Sequence, residues 1–433
     1  MNGARPVRVA VTALGCKVNY AEMAALAGRL AAAGCEVVPD DQPADVRVLN
    51  SCTVTAAADA TTRQRLRRLR RADPGAHLIL TGCSVDGNPG VYLRPGPDGG
   101  HLPVEGVDAV FSNSAKDGIA DHVLRVAAER GVEARVPQVA PRRSRAFIKV
   151  QDGCGHRCTY CSVWRARGAS RSVATAGILD RVLAALDAGH AEVVLTGVDL
   201  GSYGRGQGTS LAGLLHAVLD VVGGAARVRL SSVNTNDITD ELIELNSHPQ
   251  LCSHWHMPLQ SGSDVILRAM HRGYRRAQYL RVCAALRDLD ADTEFTSDVM
   301  VGFPGETEAD HAATLAVIEE TAMLTAHVFR YSPRADTPAA TLPAGVDDPT
   351  ARRRSGEVRR AATGSGRRRR LRALGRREQV IWDRVEGGVA HGLTSSYLSV
   401  VAAATSATRP GGVATVSLDA VEGDALRATL VSP

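Results

Sequence analysis

The chain has 433 residues, enough for about three ordinary domains of roughly 150 residues each. Its 44% hydrophobic and 22% charged residues lie near the globular norm and exclude a wholly disordered protein, while a net charge of +5 allows an anionic partner without requiring one. No apolar run approaches the ~20 residues that cross a bilayer, and the N-terminal stretch MNGARPVRVAVTALGC carries no cleavage signature, so a cytoplasmic protein with no membrane partner is expected.

In chain order, residues 7–14 read as a strand and 19–33 as a helix closed by Gly34. A strand follows at 46–50, a helix over 55–71 and a strand at 78–81. This βαβ alternation predicts a parallel sheet with helices on its faces. The Gly- and Pro-rich stretch 84–106 reads as a loop, and 135–145 as a linker. Strands are then expected at 146–150, 193–196, 227–231, 254–257, 295–301 and 326–330. Helical patterns lie at 173–188, 238–247, 275–289 and 307–323. Six βα units in this span suggest an open, partial (β/α)6 barrel. The segment 352–377 holds twelve arginines against one acid, Glu357, and is interrupted by Gly364, Ser365 and Gly366. Beyond it, 379–430 has β-type patterning. The fold class expected is therefore α/β: a parallel βαβ domain over 1–134, a partial barrel over 135–350, an Arg-rich helical linker over 351–377 and a small all-β module over 378–433.

Nine cysteines, without an export signal, argue for metal or redox chemistry over a disulfide framework. Cys154, Cys158 and Cys161 form a C-x₃-C-x₂-C array just after the first barrel strand, where barrel active sites are built. Three thiolates at that spacing fit one [4Fe–4S] cluster and leave one iron open, as catalysis requires. A zinc loop, the rival reading, usually adds a second, distant ligand pair. Cys16, Cys52 and Cys83 each follow a predicted strand. Parallel strands end on one edge, so these three can converge there as a second cluster site, although a lone cysteine in such a place is more often core. Cys35, Cys252 and Cys283 read as buried core.

These motifs resemble the radical S-adenosylmethionine (SAM) methylthiotransferases. Gly15-Cys16-Lys17-Val18-Asn19 with Glu22 is similar to the branch that acts on N6-threonylcarbamoyladenosine in tRNA. Asn50-Ser51-Cys52-Thr53-Val54-Thr55, the segment Leu195–Gly204, His256–Ser263 and Tyr331-Ser332-Pro333-Arg334 agree with it. The resemblance spans essentially the whole chain, and the last segment resembles a TRAM module.

The resemblance implies two [4Fe–4S] clusters, one on Cys154, Cys158 and Cys161 and an auxiliary one on Cys16, Cys52 and Cys83. It implies that Tyr160 lies against the SAM adenine and that Thr196 and Gly197 hold the methionyl amino group. Gly302, Phe303, Pro304, Gly305 and Glu306 would cup the adenine. Two SAM molecules per turnover are implied: one is split to a 5′-deoxyadenosyl radical that attacks C2 of the modified adenine, and one donates the methyl group. A low-potential donor such as flavodoxin or ferredoxin, a tRNA substrate and a monomeric enzyme complete the expectation.

Three features depart from the family pattern. Ser162-Val163-Trp164-Arg165-Ala166-Arg167-Gly168 has Trp164 and Arg165 where a Pro-Tyr pair is usual. The loop after Cys83 is Gly- and Pro-rich. Residues 376–433 carry five arginines against six acids, so any phosphate grip falls to the arginine run. A peptide, protein or small natural product is the alternative substrate, and a non-catalytic iron–sulfur RNA-binding protein the alternative class. The arginine excess, with Lys17, Lys116 and Lys149 the only lysines, fits a base-composition bias as readily as RNA contact.

Overall fold

The computed structural model describes residues 5–96, 101–130, 144–334 and 336–431. The chain divides into two compact units, Met1–Arg142 with Cys161–Ala169, and Arg143–Tyr160 with Ser170–Pro433. Among the described residues no helix is long and apolar enough to cross a membrane.

The first unit is built on a five-stranded, all-parallel sheet. Its order is Glu36–Val38, Arg8–Ala13, Val46–Ser51, His77–Gly82 and Ala109–Phe111. Every residue of the central strand Val46–Ser51 is buried, as expected when helices cover both faces. Alternate side chains feed two cores. Val46, Val48 and Ile79 meet Leu26, Leu30 and Val123; Leu49, Leu78 and Leu80 meet Leu66, Leu69 and Tyr92. The flanking helices are Lys17–Ala32, Ala56–Ala72 and Ile119–Glu129, and the second is capped by the Thr55 side chain accepting from the Ala58 N–H.

The stretch 84–106, expected to be a loop, is ordered in part. It holds short helices at Cys83–Gly87 and Pro89–Tyr92 and a hairpin of Leu93–Pro95 with His101–Pro103. Pro89 starts its helix where a missing N–H costs nothing. The buried Tyr92 hydroxyl bonds Ser84, which donates to Asp59, and this anchoring is invisible in the composition. The expected linker at 135–145 falls mostly on 131–143, outside the described residues.

The second unit opens with six parallel strands in sequence order. Ala146–Lys149, Glu192–Thr196 and Arg227–Leu230 form one group; His254–His256, Glu294–Val301 and Thr325–Arg330 form the other. Parallel bridges Val228–Leu251 and Ser232–His256 join the groups, giving an open partial barrel. Trp255 is fully buried in its core, and its indole N–H is satisfied by Asn246 at 2.7 Å.

The arginine segment is one continuous 25-residue helix, Asp348–Arg372. Its glycines do not break it, and Gly366 is required: a Cβ there would collide with the Leu324 carbonyl oxygen. Five strands, Arg377–Glu386, Val389–Thr394, Ser399–Ala403, Val413–Glu422 and Ala425–Leu430, then close a small barrel around Val380, Trp382, Val400, Val416 and Leu426. Arg229 fastens this barrel to the parallel strands. It pairs with Glu192 and donates to the carbonyls of Thr394 and Ser395, each at 3.0 Å, while His254 stacks on Tyr397 at 4.0 Å.

Candidate active site

Strands Arg8–Ala13, Val46–Ser51 and His77–Gly82 are adjacent and parallel, so their carboxyl ends lie on one edge. Cys16 caps the helix after the first, Cys52 follows the second and Cys83 opens the helix after the third. Sequence reasoning expected these three to converge, and the strand ends bring them to one edge of the sheet. A Cβ on Gly15 would meet the Cys52 Sγ, which explains the glycine and its φ of +88°. Burial pushes the Cys52 thiol up to about 12.

Two donors address this group. Arg167 Nε–H donates to Cys83 Sγ at 3.1 Å, and Asn113 Nδ2 lies 3.9 Å from the same sulfur. Arg167 is held by Asn19 at 2.7 Å and by Glu22 at 2.8 Å, and Glu22 also pairs with Lys116. Cationic and amide N–H groups facing the Cys83 sulfur suit an anionic iron–sulfur cluster, whose ligands must be thiolates. Sequence reasoning missed Arg167. It sits in the short helix Val163–Arg167, ended by Gly168 at φ +73°, within the segment that departs from the family pattern. Trp164 stacks under Arg165, ring centroid to guanidinium 4.8 Å.

Of the C-x₃-C-x₂-C array, Cys154 and Cys158 belong to the second unit and Cys161 to the first. Arg272 donates to Cys158 Sγ at 3.4 Å and to Asn234 Oδ1 at 2.5 Å. Between the two cysteines, His156 bonds Asp199 at 3.0 Å and Asp237 at 3.3 Å. These carboxylates push its imidazole up to about 10, so it is a cation at neutral pH. Gly155, Ser170, Ser172, Asp199, Ser202 and Arg205 line a solvent-open cleft of polar side chains. A cationic donor on the Cys158 sulfur, an adjoining imidazolium and a polar cleft suit a cluster with an open iron and a zwitterionic amino-acid ligand.

The other expected residues fall in the second unit. Thr196 ends the second barrel strand, and its buried hydroxyl has no protein partner among the described residues. Gly197 backs onto Gln151, whose Oε1 would lie 2.8 Å from an added Cβ. Tyr160 and Phe303 pack into one apolar cluster with Ile266, Met270 and Tyr331. Gly302 and Gly305 adopt φ of +74° and +83°, and Pro304 is buried between them. Glu306 turns back to accept from the Gly302 N–H at 2.6 Å and from Arg354 at 2.7 Å.

The arginine helix turns Arg354, Arg369 and Arg370 inward and leaves its other arginines exposed. Arg353 and Arg354 pair with Glu308, Arg368 with Glu319, Arg369 with Glu294, and Arg370 with Asp424. Among the described residues, the exposed Arg360, Arg367 and Arg372 have no carboxylate partner. Cys35, Cys252 and Cys283 are buried, as expected of core residues.

Residues 148–318 match the sequence pattern of the radical SAM superfamily, and residues 8–94 that of an uncharacterized protein family, UPF0004. The chain is 36% identical over 401 residues to the threonylcarbamoyladenosine tRNA methylthiotransferase MtaB of Thermotoga maritima, covering 90% of this chain and 89% of that one. The protein of the same name from Chlamydia pneumoniae is 32% identical, over 96% and 97% of the two chains. A tRNA-2-methylthio-N(6)-dimethylallyladenosine synthase from Parafrankia sp. is 36% identical over 80% of this chain and 72% of that one. Among solved structures, the radical S-adenosylmethionine methyltransferase TsrM from Kitasatospora setae aligns with a TM-score of 0.54 at 13% identity, over 77% of each chain, a likeness of fold alone.

Proposed function

The chain belongs to the radical SAM methylthiotransferases, and on that premise we propose that it replaces the C2 hydrogen of N6-threonylcarbamoyladenosine in tRNA with a methylthio group. The observation that carries this reading is the second thiol site. Cys16, Cys52 and Cys83 follow adjacent parallel strands that end on one sheet edge, and the N–H groups of Arg167 and Asn113 face the Cys83 sulfur. Sulfur insertion calls for such a second site, whereas hydrogen abstraction alone does not. A peptide or small natural product as substrate is not favoured, since the relatives described above are named for tRNA modification.

When bound, a [4Fe–4S] cluster and SAM supply the one-electron chemistry that removes hydrogen from an unactivated carbon. Cys154, Cys158 and Cys161 hold this cluster. Tyr160, Thr196, Gly197 and the turn Gly302, Phe303, Pro304, Gly305 and Glu306 hold SAM, with the buried Thr196 hydroxyl free to accept or donate a bond. Cys16, Cys52 and Cys83 hold a second [4Fe–4S] cluster as the sulfur-bearing site. Two SAM molecules are consumed per turnover, one as radical source and one as methyl donor. The enzyme works as a cytoplasmic monomer with a flavodoxin or ferredoxin as reductant. Arg360, Arg367 and Arg372 present positive charge to the tRNA backbone.

Mass spectrometry of tRNA nucleosides tests the reading. Deleting the gene removes the methylthio-threonylcarbamoyl nucleoside, and a plasmid copy restores it. An unchanged level overturns the assignment, and loss of the methylthio-dimethylallyl nucleoside instead reassigns the substrate.

A further inference from the structure

Arg167 is a charged side chain that the reaction as proposed does not use, yet it is almost wholly buried, at 4% exposure. Its Nε–H points at a cysteine sulfur 3.1 Å away while both Nη groups are anchored on Glu22 and Asn19. Burying a guanidinium costs far more than a surface arginine would, unless its partners compensate. The nearest fixed counter-charge is Glu22, which it shares with Lys116. Asp86, a further carboxylate that feels Arg167, turns to the side-chain and backbone N–H groups of Asn113.

We infer that Arg167 is a positioning residue that sets the reduction potential of the auxiliary site by donating to the Cys83 sulfur. The inference rests on the reading of Cys16, Cys52 and Cys83 as ligands of a [4Fe–4S] cluster. One-electron reduction adds a negative charge to the cluster and its thiolates. A fixed cation with an N–H on a ligating sulfur stabilises the reduced form more than the oxidised one. Hydrogen bonds to the sulfurs and local charge are among the factors that set such potentials. Arg167 therefore raises the potential, and Glu22, by partly neutralising Arg167, holds it down. The two residues must act with opposite sign.

The test uses the full-length chain carrying Cys154→Ala, Cys158→Ala and Cys161→Ala, so that only the auxiliary site remains. Reconstituted protein is titrated with dithionite as the one-electron reductant, and the reduced fraction is read by electron paramagnetic resonance. Arg167→Gln is expected to shift the reduced-to-oxidised ratio at a fixed potential down by about tenfold, which is 59 mV for one electron. Glu22→Gln, which keeps an acceptor for Arg167, is expected to shift it up. Shifts of the same sign, or none, overturn the inference. Should Arg167→Gln fail to assemble, Glu22→Gln decides alone: an upward shift supports the inference and any other result overturns it. An iron content near zero with Arg167 and Glu22 intact defeats the cluster reading itself, and is distinct from a loaded site with an unmoved potential.

Discussion

Arg354 places its Nη1 2.7 Å from the Glu306 carboxylate, and both residues are almost completely buried. The same guanidinium donates to the Glu306 carbonyl oxygen at 2.9 Å, and the same carboxylate receives the Gly302 N–H. One ion pair thereby fixes both ends of the Gly302–Glu306 turn to the arginine helix. Removing one partner of such a pair leaves a buried charge uncompensated, at a cost of about 3–5 kcal/mol. Arg354→Met is expected to lower unfolding stability by this amount in a denaturant titration and to weaken SAM binding. The double variant with Glu306→Gln should recover part of the stability. Additive losses would show that the pair does not hold the turn.

The exposed arginines of that helix lead to a different expectation. Arg360, Arg367 and Arg372 have no carboxylate partner among the described residues, so replacing them disturbs no internal pair. Each phosphate left without its arginine should reduce the slope of log K against log salt by about 0.7–0.9. The triple variant to Ser is expected to bind tRNA more weakly at 150 mM salt with a shallower slope, while SAM cleavage without tRNA is unchanged. Filter binding at several salt concentrations measures this. An unaltered slope would place the RNA elsewhere.

The contrast between these two sets of arginines marks where the sequence stops being informative. Strands such as Glu192–Thr196 and Glu294–Val301 were legible because buried parallel strands are short apolar runs between helical periods. The placement of Cys16, Cys52 and Cys83 at the ends of adjacent strands was legible because each follows such a run. The direction of the arginine run was not. The partners of Arg354, Arg368, Arg369 and Arg370 lie 48, 49, 75 and 54 positions away, and no local pattern records a pairing across that distance. Arg167 was hidden for the same reason. Its partners Glu22 and Cys83 are 145 and 84 positions distant, and the strand Ala109–Phe111, three residues long and half-exposed, gave no run to detect.

Glu192 makes the docking of the small barrel sensitive to acid. Its carboxyl is buried, which opposes ionisation, but Arg229 and Arg227 outweigh burial and hold it down to about 2. A carboxylate with a folded-state pKa below its unfolded value of 4.5 stabilises the fold above that value. The contribution, about 3 kcal/mol by linkage, is lost as pH falls from 4.5 towards 2. Glu192→Gln is expected to unfold at lower denaturant at pH 7, because Arg229 loses its counter-charge, and to show a flatter acid limb. Denaturant midpoints from pH 7 to pH 2 check both. Parallel acid limbs for the two proteins would contradict the assignment.

The two cysteine groups predict separable losses. Each group, if it holds one [4Fe–4S] cluster, accounts for about four iron atoms, and the reconstituted protein for about eight. Cys154→Ala with Cys158→Ala and Cys161→Ala should remove about half the iron and abolish formation of 5′-deoxyadenosine, since no open iron is left to bind SAM. Cys16→Ala with Cys52→Ala and Cys83→Ala should also remove about half, yet still cleave SAM under reducing conditions while making no methylthio product. Cys35→Ala, Cys252→Ala and Cys283→Ala alter neither iron nor cleavage, because those side chains lie in apolar or ion-paired core away from either group. Iron content and chromatographic assay of 5′-deoxyadenosine separate the cases. SAM cleavage surviving the first triple variant would remove Cys154, Cys158 and Cys161 from the role given to them, whatever the second variant shows.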